Sequence, residues 1–251
     1  MKIEAVIVCY NYSDFLEHTL PQNLQQLDRV IVVTHPDDKK TQQLCSHHGV
    51  DYVATTIFHD DGDKFNKARA INLGLSHLRH EDWLVHLDAD ILLPPQFRKR
   101  LSDAKIKAKN IYGVDRQNTI SFENYMEHKD RITPQHKWRY LVEPIKEFPL
   151  GARLLHQEYG YCPIGYFQLW HSSIKRKYPI VSGSAEHTDV LFAVQWPREE
   201  RILLPEFLVF HLESEGQNQG INWEGRKSKP FAHSHHHHKH HHHCYCHEKK
   251  H

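Results

Sequence analysis

Residues 84–95 read LVHLDADILLPP, a run in which two carboxylates interrupt an apolar segment. The residues before Asp88 have the pattern of a buried strand, and Pro94 and Pro95 mark a turn after it. Strand side chains alternate between faces, so Asp88 and Asp90 point the same way if the extended geometry continues. Two ionised carboxylates that close repel each other, and a bound cation or a solvated turn must separate their charges.

An alternation of strands and helices leads up to this stretch. The strand patterns IEAVIVCY, RVIVVTH and VDYVATT alternate with helical patterns, the last of which is NKARAINLGLSHL, and DWLVHLDAD follows as a fourth strand. This order predicts an α/β fold with a parallel, Rossmann-like sheet and right-handed crossovers. Ligands of such sheets bind beyond the carboxyl ends of the strands. We therefore expect residues 9–12, 34–37 and 88–90 to line one crevice.

Composition limits the class of protein. The 251 residues, of which 39% are hydrophobic, suffice for a substantial core, and the formal net charge of +1 predicts no nucleic-acid partner. We expect no transmembrane segment, because no apolar run approaches the roughly 20 residues that span a bilayer. The N-terminus lacks a basic signal region, and the odd number of cysteines, five, suits free thiols in a reducing compartment. These features predict a cytoplasmic protein.

The motifs around the crevice resemble one family. LDADILLPP follows the alternating half, AVIVCYNY ends the first strand, and the KARAINLGL helix precedes the acidic pair. Together they resemble GT-A glycosyltransferases, especially the family-2-like group, over about residues 1–231. The resemblance implies a metal-dependent glycosyltransferase of the hexosyltransferase type. Such an enzyme moves a sugar from a nucleotide-sugar donor, here first a UDP-sugar, to a carbohydrate or other hydroxyl acceptor.

The same resemblance implies the organisation of the chain. Residues 1–105 would form the nucleotide-sugar-binding half with a mostly parallel central sheet, and residues 106–232 the acceptor-binding half of the same GT-A domain. Residues 233–251 are rich in histidine and are predicted to be a disordered tail without a catalytic role. Imidazoles and thiolates at that density bind Zn²⁺, Ni²⁺ or copper ions. An expression tag is the competing explanation, although Lys239 and the CYC sequence interrupt the histidines in a way that a plain tag would not.

The acidic pair is the predicted metal site, as the DxD motif of this family. In enzymes of that family, such carboxylates bind a divalent ion that holds the donor diphosphate. Oxygen ligands suit Mn²⁺ or Mg²⁺. By resemblance, Asp88 and Asp90 bind the ion and His211 completes its ligands. The alternatives are an Asx-turn for the acidic pair and a packed strand histidine for His211.

The nucleotide is expected over the first two strand ends. By resemblance, Tyr10 and Asn11 contact the base and ribose, and Asp37 accepts a hydrogen bond from the base; ordinary capped turns would explain the same residues. Lys67 and Arg69 begin a helix, where basic residues facing the crevice suit a phosphate. A solvated helix face is the alternative explanation for both. Asp88 is also expected to take part in binding the nucleotide-sugar, through the metal ion.

The second half supplies the remaining candidates. An inverting transfer needs a carboxylate that takes the acceptor proton, and SGSAEHTDVLF offers Asp189 first and Glu186 second. Helix capping would explain the same segment. Arg226 and Lys227 lie in a basic loop that, in such enzymes, closes on the diphosphate, although an exposed loop of mixed charge fits too.

Two other functions remain open. A nucleotidyltransferase also places acidic metal ligands at a strand end, but it normally has a Gly-rich phosphate loop, and CYNYSDF contains no glycine. A sugar- or metal-binding protein without turnover is the alternative from a different class.

Overall fold

The computed structural model describes residues 1–132, 145–215 and 222–233. The strands in these ranges are β1 (Ile3–Val8), β2 (Arg29–Thr34), β3 (Asp51–Ala54), β4 (Trp83–Leu87), β5 (Ile91–Leu92), β6 (Ile111–Asn118), β7 (Leu155–His156), β8 (Gly160–Tyr161), β9 (Phe167–His171) and β10 (Arg201–His211). The α-helices are α1 (Ser13–Asn23), α2 (Lys39–His47), α3 (Lys67–Ser76), α4 (Phe97–Asp103), α5 (Phe122–His128) and α6 (Thr188–Ala193).

The centre of the molecule is an eight-stranded mixed sheet with the order β3-β2-β1-β4-β9-β6-β10-β5. The strands β3, β2, β1 and β4 are parallel neighbours, and β6 is parallel to β10. The antiparallel members are β9, between β4 and β6, and β5 at the edge beside β10. The predicted mostly parallel α/β sheet is confirmed. Because β1, β2 and β4 run the same way, their carboxyl ends meet at one edge.

Helices cover both faces of the first four strands, which explains why every residue of β1 is buried. One face packs against α1 and α2, through side chains such as Leu16 and Cys45. The other packs against α3, through side chains such as Ile71. The helix α3 lies very close to the sheet at Gly74, where an added Cβ would lie 2.6 Å from a methyl group of Val6. The close approach holds α3 directly against β1 and β2.

A third apolar cluster joins the C-terminal segment to α1. The rings of Phe15 and Phe231 stack with centroids 4.7 Å apart, and Phe122 of α5 meets Phe231 edge-on. The segment before Phe231 therefore lies over the same edge of the sheet as the ends of β1 and β4. None of the described helices is both long and apolar enough to cross a bilayer.

The division into halves at residue 105 and the disordered tail stay predictions. Residues 234–251, which carry all but the first histidine of the tail, lie outside the described residues.

Candidate active site

A cavity of about 480 Å³ opens at the carboxyl ends of β1 and β4. Seven of the candidates named from the sequence line it: Tyr10, Lys67, Asp88, Asp90, Glu186, Asp189 and His211. Five others do not belong to its lining: Asn11, Asp37, Arg69, Arg226 and Lys227. Two of the three strand ends predicted to share a crevice, those of β1 and β4, meet at this cavity, whereas none of residues 34–37 lines it. The acidic pair, one lysine and both candidate bases surround this single space.

The two carboxylates of the acidic pair have different partners. The Lys67 ammonium donates to Asp88 Oδ1 over 2.5 Å, whereas Asp90 Oδ2 lies 3.1 Å from His211 Nε2. Burial raises the pKa of Asp88, and the charge of Asp90 adds to the rise while Lys67 opposes it. Burial would raise the pKa of Asp90 as well, but the charges of His211, Lys67 and Arg116 together lower that pKa. Two cationic side chains thus separate the like charges.

His211 ends β10 between two carboxylates. Its Nδ1 lies 3.0 Å from Glu213 Oε1 and 3.2 Å from Asn118 Oδ1. Burial favours a neutral imidazole, yet Asp90 and Glu213 prevail and raise the pKa of His211 to about 9. The ring is therefore an imidazolium at neutral pH. Since a metal ligand must be a neutral imidazole, binding of an ion by His211 would release a proton.

The acidic pair and His211 are the candidate ligands of a divalent cation. Within the described ranges, no three His, Cys, Asp or Glu side chains converge closely enough to hold an ion. However, Asp90 Oδ1 is buried and has no hydrogen-bonding partner there, so one carboxylate oxygen remains free for a ligand. Mg²⁺ and Mn²⁺ prefer oxygen, and Mg²⁺ is commonly held by one or two carboxylates together with substrate phosphates. The carboxylates of Asp88 and Asp90 therefore suit an ion that takes further ligands from a diphosphate, and the binding of an ion by Asp88, Asp90 and His211 stays a prediction.

A flat aromatic surface lies at the end of β1. The rings of Tyr10 and His35 stack with centroids 4.6 Å apart, and Asp37 is exposed with Oδ1 3.0 Å from His35 Nδ1. Asn11 is exposed and lies in the turn after the strand: its backbone N–H donates to Asp38 Oδ2 over 2.7 Å, and its φ is 62°. Tyr10 is thus the nucleotide-site candidate at this strand end that lines the cavity, and its contact with a base stays a prediction. The roles of Asn11 and Asp37 stay predictions.

Arg69 and Lys227 each face a carboxylate outside the cavity. The Arg69 guanidinium donates to Asp61 over 2.5 Å, and Lys227 Nζ donates to Glu224 over 3.3 Å. These positions match the alternative explanation for both residues, a solvated charged surface. Contact of either residue with a phosphate stays a prediction that would need a side-chain movement.

Arg226 anchors the C-terminal segment. Its guanidinium makes two contacts with the Asp14 carboxylate and donates to the carbonyls of Asn11, at 2.6 Å, and Lys229, at 2.8 Å. It also lies over the ring of Tyr12, 4.9 Å from the centroid. All of its described donors are directed at the turn before α1, at Asp14 of α1 or at its own loop. Arg226 thus connects this loop to α1, and its contact with a diphosphate stays a prediction.

Asp189 is held firmly in the first turn of α6. Its Oδ2 accepts from the Gly165 N–H over 2.6 Å and its Oδ1 from the Val190 N–H over 2.8 Å. Burial raises the pKa of Asp189, and these two amides limit the rise. Glu186 also lines the cavity but is exposed. The geometry therefore distinguishes a fixed, partly desolvated carboxylate from a solvated one.

Sequence analysis missed two charged residues of the cavity, Arg116 and Glu213. A signal for Arg116 was present: it shares a face of β6 with Tyr112 and Val114, which are both buried, so a cation stands where an apolar residue is expected. Glu213 follows β10, and its contact with His211 depends on a turn that no local pattern indicates.

An α/β fold with an acidic crevice at the strand ends defines a class of nucleotide-binding enzymes. The family model described as Glycosyl transferase family 2 matches residues 4–175, more than half of the sequence. The chain therefore belongs to glycosyl transferase family 2, and the predicted enzyme class, a glycosyltransferase, is confirmed. No protein among the curated ones matches it.

Solved structures agree with the fold. Mannosyl-3-phosphoglycerate synthase from Rubrobacter xylanophilus is 15% identical, with a TM-score of 0.51 over 88% of this chain and 68% of that one. Glucosyl-3-phosphoglycerate synthase from Mycobacterium tuberculosis, in complex with UDP, is 11% identical, with a TM-score of 0.51 over 88% and 73% of the two chains. At such identities the likeness concerns the fold alone, and it confirms the GT-A prediction.

Proposed function

We propose that the protein transfers a sugar from a nucleotide-sugar donor to a hydroxyl acceptor with inversion, and that it uses a divalent cation and Asp189 as general base. Membership of glycosyl transferase family 2 supplies the reaction class. One observation supports the rest: a single cavity contains the acidic pair with Lys67 and, separately, Asp189, a partly buried carboxylate with a raised pKa. Two carboxylate centres with different surroundings suit two different chemical tasks.

The donor would lie along the ends of β1 and β4. Tyr10 offers a ring for stacking with the base, and the Lys67 ammonium beside Asp88 offers positive charge for the diphosphate. Asp88, Asp90 and His211 would hold a divalent cation, Mn²⁺ or Mg²⁺, which when bound neutralises charge on the leaving diphosphate. UDP-sugars are the first donors to test because the M. tuberculosis structure with this fold contains UDP.

The acceptor would react at Asp189. As the acceptor oxygen forms its bond to the anomeric carbon, its proton passes to the Asp189 carboxylate, and the nucleoside diphosphate leaves with the bonding electron pair. The two backbone amides hold the carboxylate in one orientation, and its raised pKa makes it a stronger base than an exposed aspartate. Glu186, which is solvated, is the second candidate.

The test is release of nucleoside diphosphate from UDP-, GDP- and dTDP-sugars, measured with Mn²⁺ and with EDTA. We expect release with one nucleotide class in Mn²⁺ only, and loss of that release in Asp90→Ala. The control is Asp60→Asn, a change at an exposed aspartate outside the cavity. Release that is equal in EDTA, or unchanged in Asp90→Ala, would disprove the proposal. Release of pyrophosphate instead would indicate a nucleotidyltransferase.

A further inference from the structure

Trp223 presents an exposed aromatic ring at the cavity. The residue is 44% exposed and lines the cavity. Of the large hydrophobic residues that are exposed in the described ranges, it alone belongs to the cavity lining. Trp83, Trp170 and Trp196, the other tryptophans that the structure describes, are all buried. The core therefore covers the other indoles, whereas that of Trp223 is accessible to a ligand.

The Trp223 indole has no ring or hydrogen-bonding partner among the described residues. Neither a contact with another ring nor a hydrogen bond from its Nε1–H is present there. Trp170 and Trp196, in contrast, both meet the ring of Phe192 edge-on, at centroid distances of 4.8 and 5.1 Å. A tryptophan side chain combines a large apolar face with one donor at its edge. Both features of Trp223 are thus available to a substrate.

The backbone around Trp223 is held at two points. The Trp223 carbonyl accepts from the Ala185 N–H over 2.9 Å. The next residue, Glu224, accepts from Lys64 Nζ over 2.8 Å, on the segment before α3. Trp223 is therefore held at the cavity before a ligand arrives, which lowers the entropic cost of binding.

The hydrogen bond from Ala185 connects Trp223 to the segment that carries both candidate bases. Ala185 is followed by Glu186, and every residue from 185 to 190, including Asp189, lines the cavity. In the proposed transfer, the anomeric carbon of the donor and the hydroxyl of the acceptor must meet at one of these carboxylates. The proposed reaction therefore brings a sugar ring to the part of the cavity that Trp223 borders.

We propose that Trp223 binds a sugar ring, with its indole face against the C–H face of a pyranose and its Nε1–H donating to a sugar hydroxyl. This inference rests on the proposed function and adds the residue that recognises the sugar. A pyranose has an apolar face and hydroxyls at its edge, so its surface matches that of an indole. Glu186, which is exposed, offers a carboxylate that accepts hydrogen bonds from further hydroxyls. The ring belongs to the donor or to a sugar acceptor, and the experiment distinguishes these sources.

The test follows the indole N–H signals of the ¹⁵N-labelled protein by NMR in Mg²⁺, with the Trp223 signal identified by its loss in Trp223→Phe. The ligands are methyl glycosides of glucose, galactose and mannose, and UDP-, GDP- and dTDP-sugars beside their free nucleoside diphosphates. We expect the Trp223 signal to shift. A shift with a nucleotide-sugar beyond that with its nucleoside diphosphate assigns the donor sugar, and a shift with methyl glycosides alone assigns an acceptor.

Two results would overturn the inference: no shift with either class of ligand, or an equal shift with glycerol, which has hydroxyls but no ring. The proposed function is judged separately, by release of nucleoside diphosphate from the same donors. Release together with an unshifted Trp223 signal rejects the inference and leaves the proposed function standing. If no donor releases its nucleoside diphosphate, the proposed function itself fails.

Variants measure the contribution of the ring to the reaction. Trp223→Leu should raise KM for the sugar that it binds on the order of tenfold, because the ring face and one hydrogen bond are lost, and Trp223→Phe should raise it less. Affinity for the free nucleoside diphosphate should stay within about twofold, since the contact is with the sugar. The control is Tyr52→Leu, which removes a ring of a residue that is 38% exposed and lies outside this cavity. Unchanged KM values in Trp223→Leu, or an equal loss of nucleoside diphosphate affinity, would contradict the inference.

Discussion

Replacement of Arg226 by methionine tests whether this residue stabilises the fold or binds the donor. The side chains of Arg226 and Asp14 are 14% and 25% exposed, so their ion pair is partly desolvated. Exposed pairs contribute about 0–1 kcal/mol, whereas breaking a buried pair costs about 3–5 kcal/mol. We expect a loss between these limits, of about 2–3 kcal/mol, because Asp14 keeps only its contact with the Phe231 N–H at 2.7 Å.

The assay is reversible urea unfolding of Arg226→Met beside Lys227→Met. The control removes the neighbouring cation, whose side chain is 60% exposed, and should change the free energy of unfolding by less than about 0.5 kcal/mol. For a chain of this size, the loss in Arg226→Met corresponds to a fall in Tm of roughly 5–10 °C. Equal stability of the two variants, together with a fall in UDP affinity in Arg226→Met alone, would refute the structural role and restore the donor-binding prediction.

Three further changes test other parts of the structure. Asp189→Asn should lower kcat by about 10²- to 10⁴-fold with unchanged UDP affinity, and retained transfer would point to Glu186. In the wild type, burial raises the pKa of Asp189 above 3.8, so this base is protonated at a higher pH than an exposed aspartate. The acid limb of the pH profile of kcat/KM should therefore lie above pH 3.8. An acid limb at or below pH 3.8 would contradict the assignment of Asp189 as the base. Lys67→Met should weaken UDP binding roughly tenfold in a calorimetric titration, because one charged contact of about 1.5 kcal/mol is lost. Unchanged UDP binding would show that Lys67 pairs with Asp88 and does not contact the diphosphate. Gly74→Ala should lower the free energy of unfolding by about 1–3 kcal/mol, because the added methyl group overpacks the contact with Val6. A urea titration measures this loss. An unchanged urea midpoint would contradict the close packing of α3 on the sheet.

Local patterns were enough to predict the first half of the fold. The alternation up to β4 has a period that each short segment displays by itself, and the acidic pair follows directly from the end of β4. The order of the remaining strands could not be predicted, because β9 lies antiparallel between β4 and β6 through pairings that are distant in sequence. A hydrophobic pattern shows that a strand is buried and does not show which neighbour it pairs with.

The site could be predicted to the same extent. Asp88 and Asp90 are adjacent to a strand end, and Lys67 begins the preceding helix, so local reasoning brought them together. The partner of Arg226 lies 212 residues away, and no local pattern indicates it. Sequence patterns also do not show which of the two aspartates after β2 is buried. Asp38 is buried, accepts a hydrogen bond from the Thr41 N–H and caps α2, whereas Asp37 is exposed.

The central claim is that the carboxylates at the end of β4 bind the donor diphosphate through a divalent cation. Calorimetric titration of UDP into the wild-type protein and Asp90→Ala, each with Mn²⁺ and with EDTA, measures this directly. We expect binding in the wild type with Mn²⁺ alone and at least a tenfold loss in the variant, since a charged ligand of the ion is removed. UDP affinity that is the same in EDTA, or the same in Asp90→Ala, would contradict the claim.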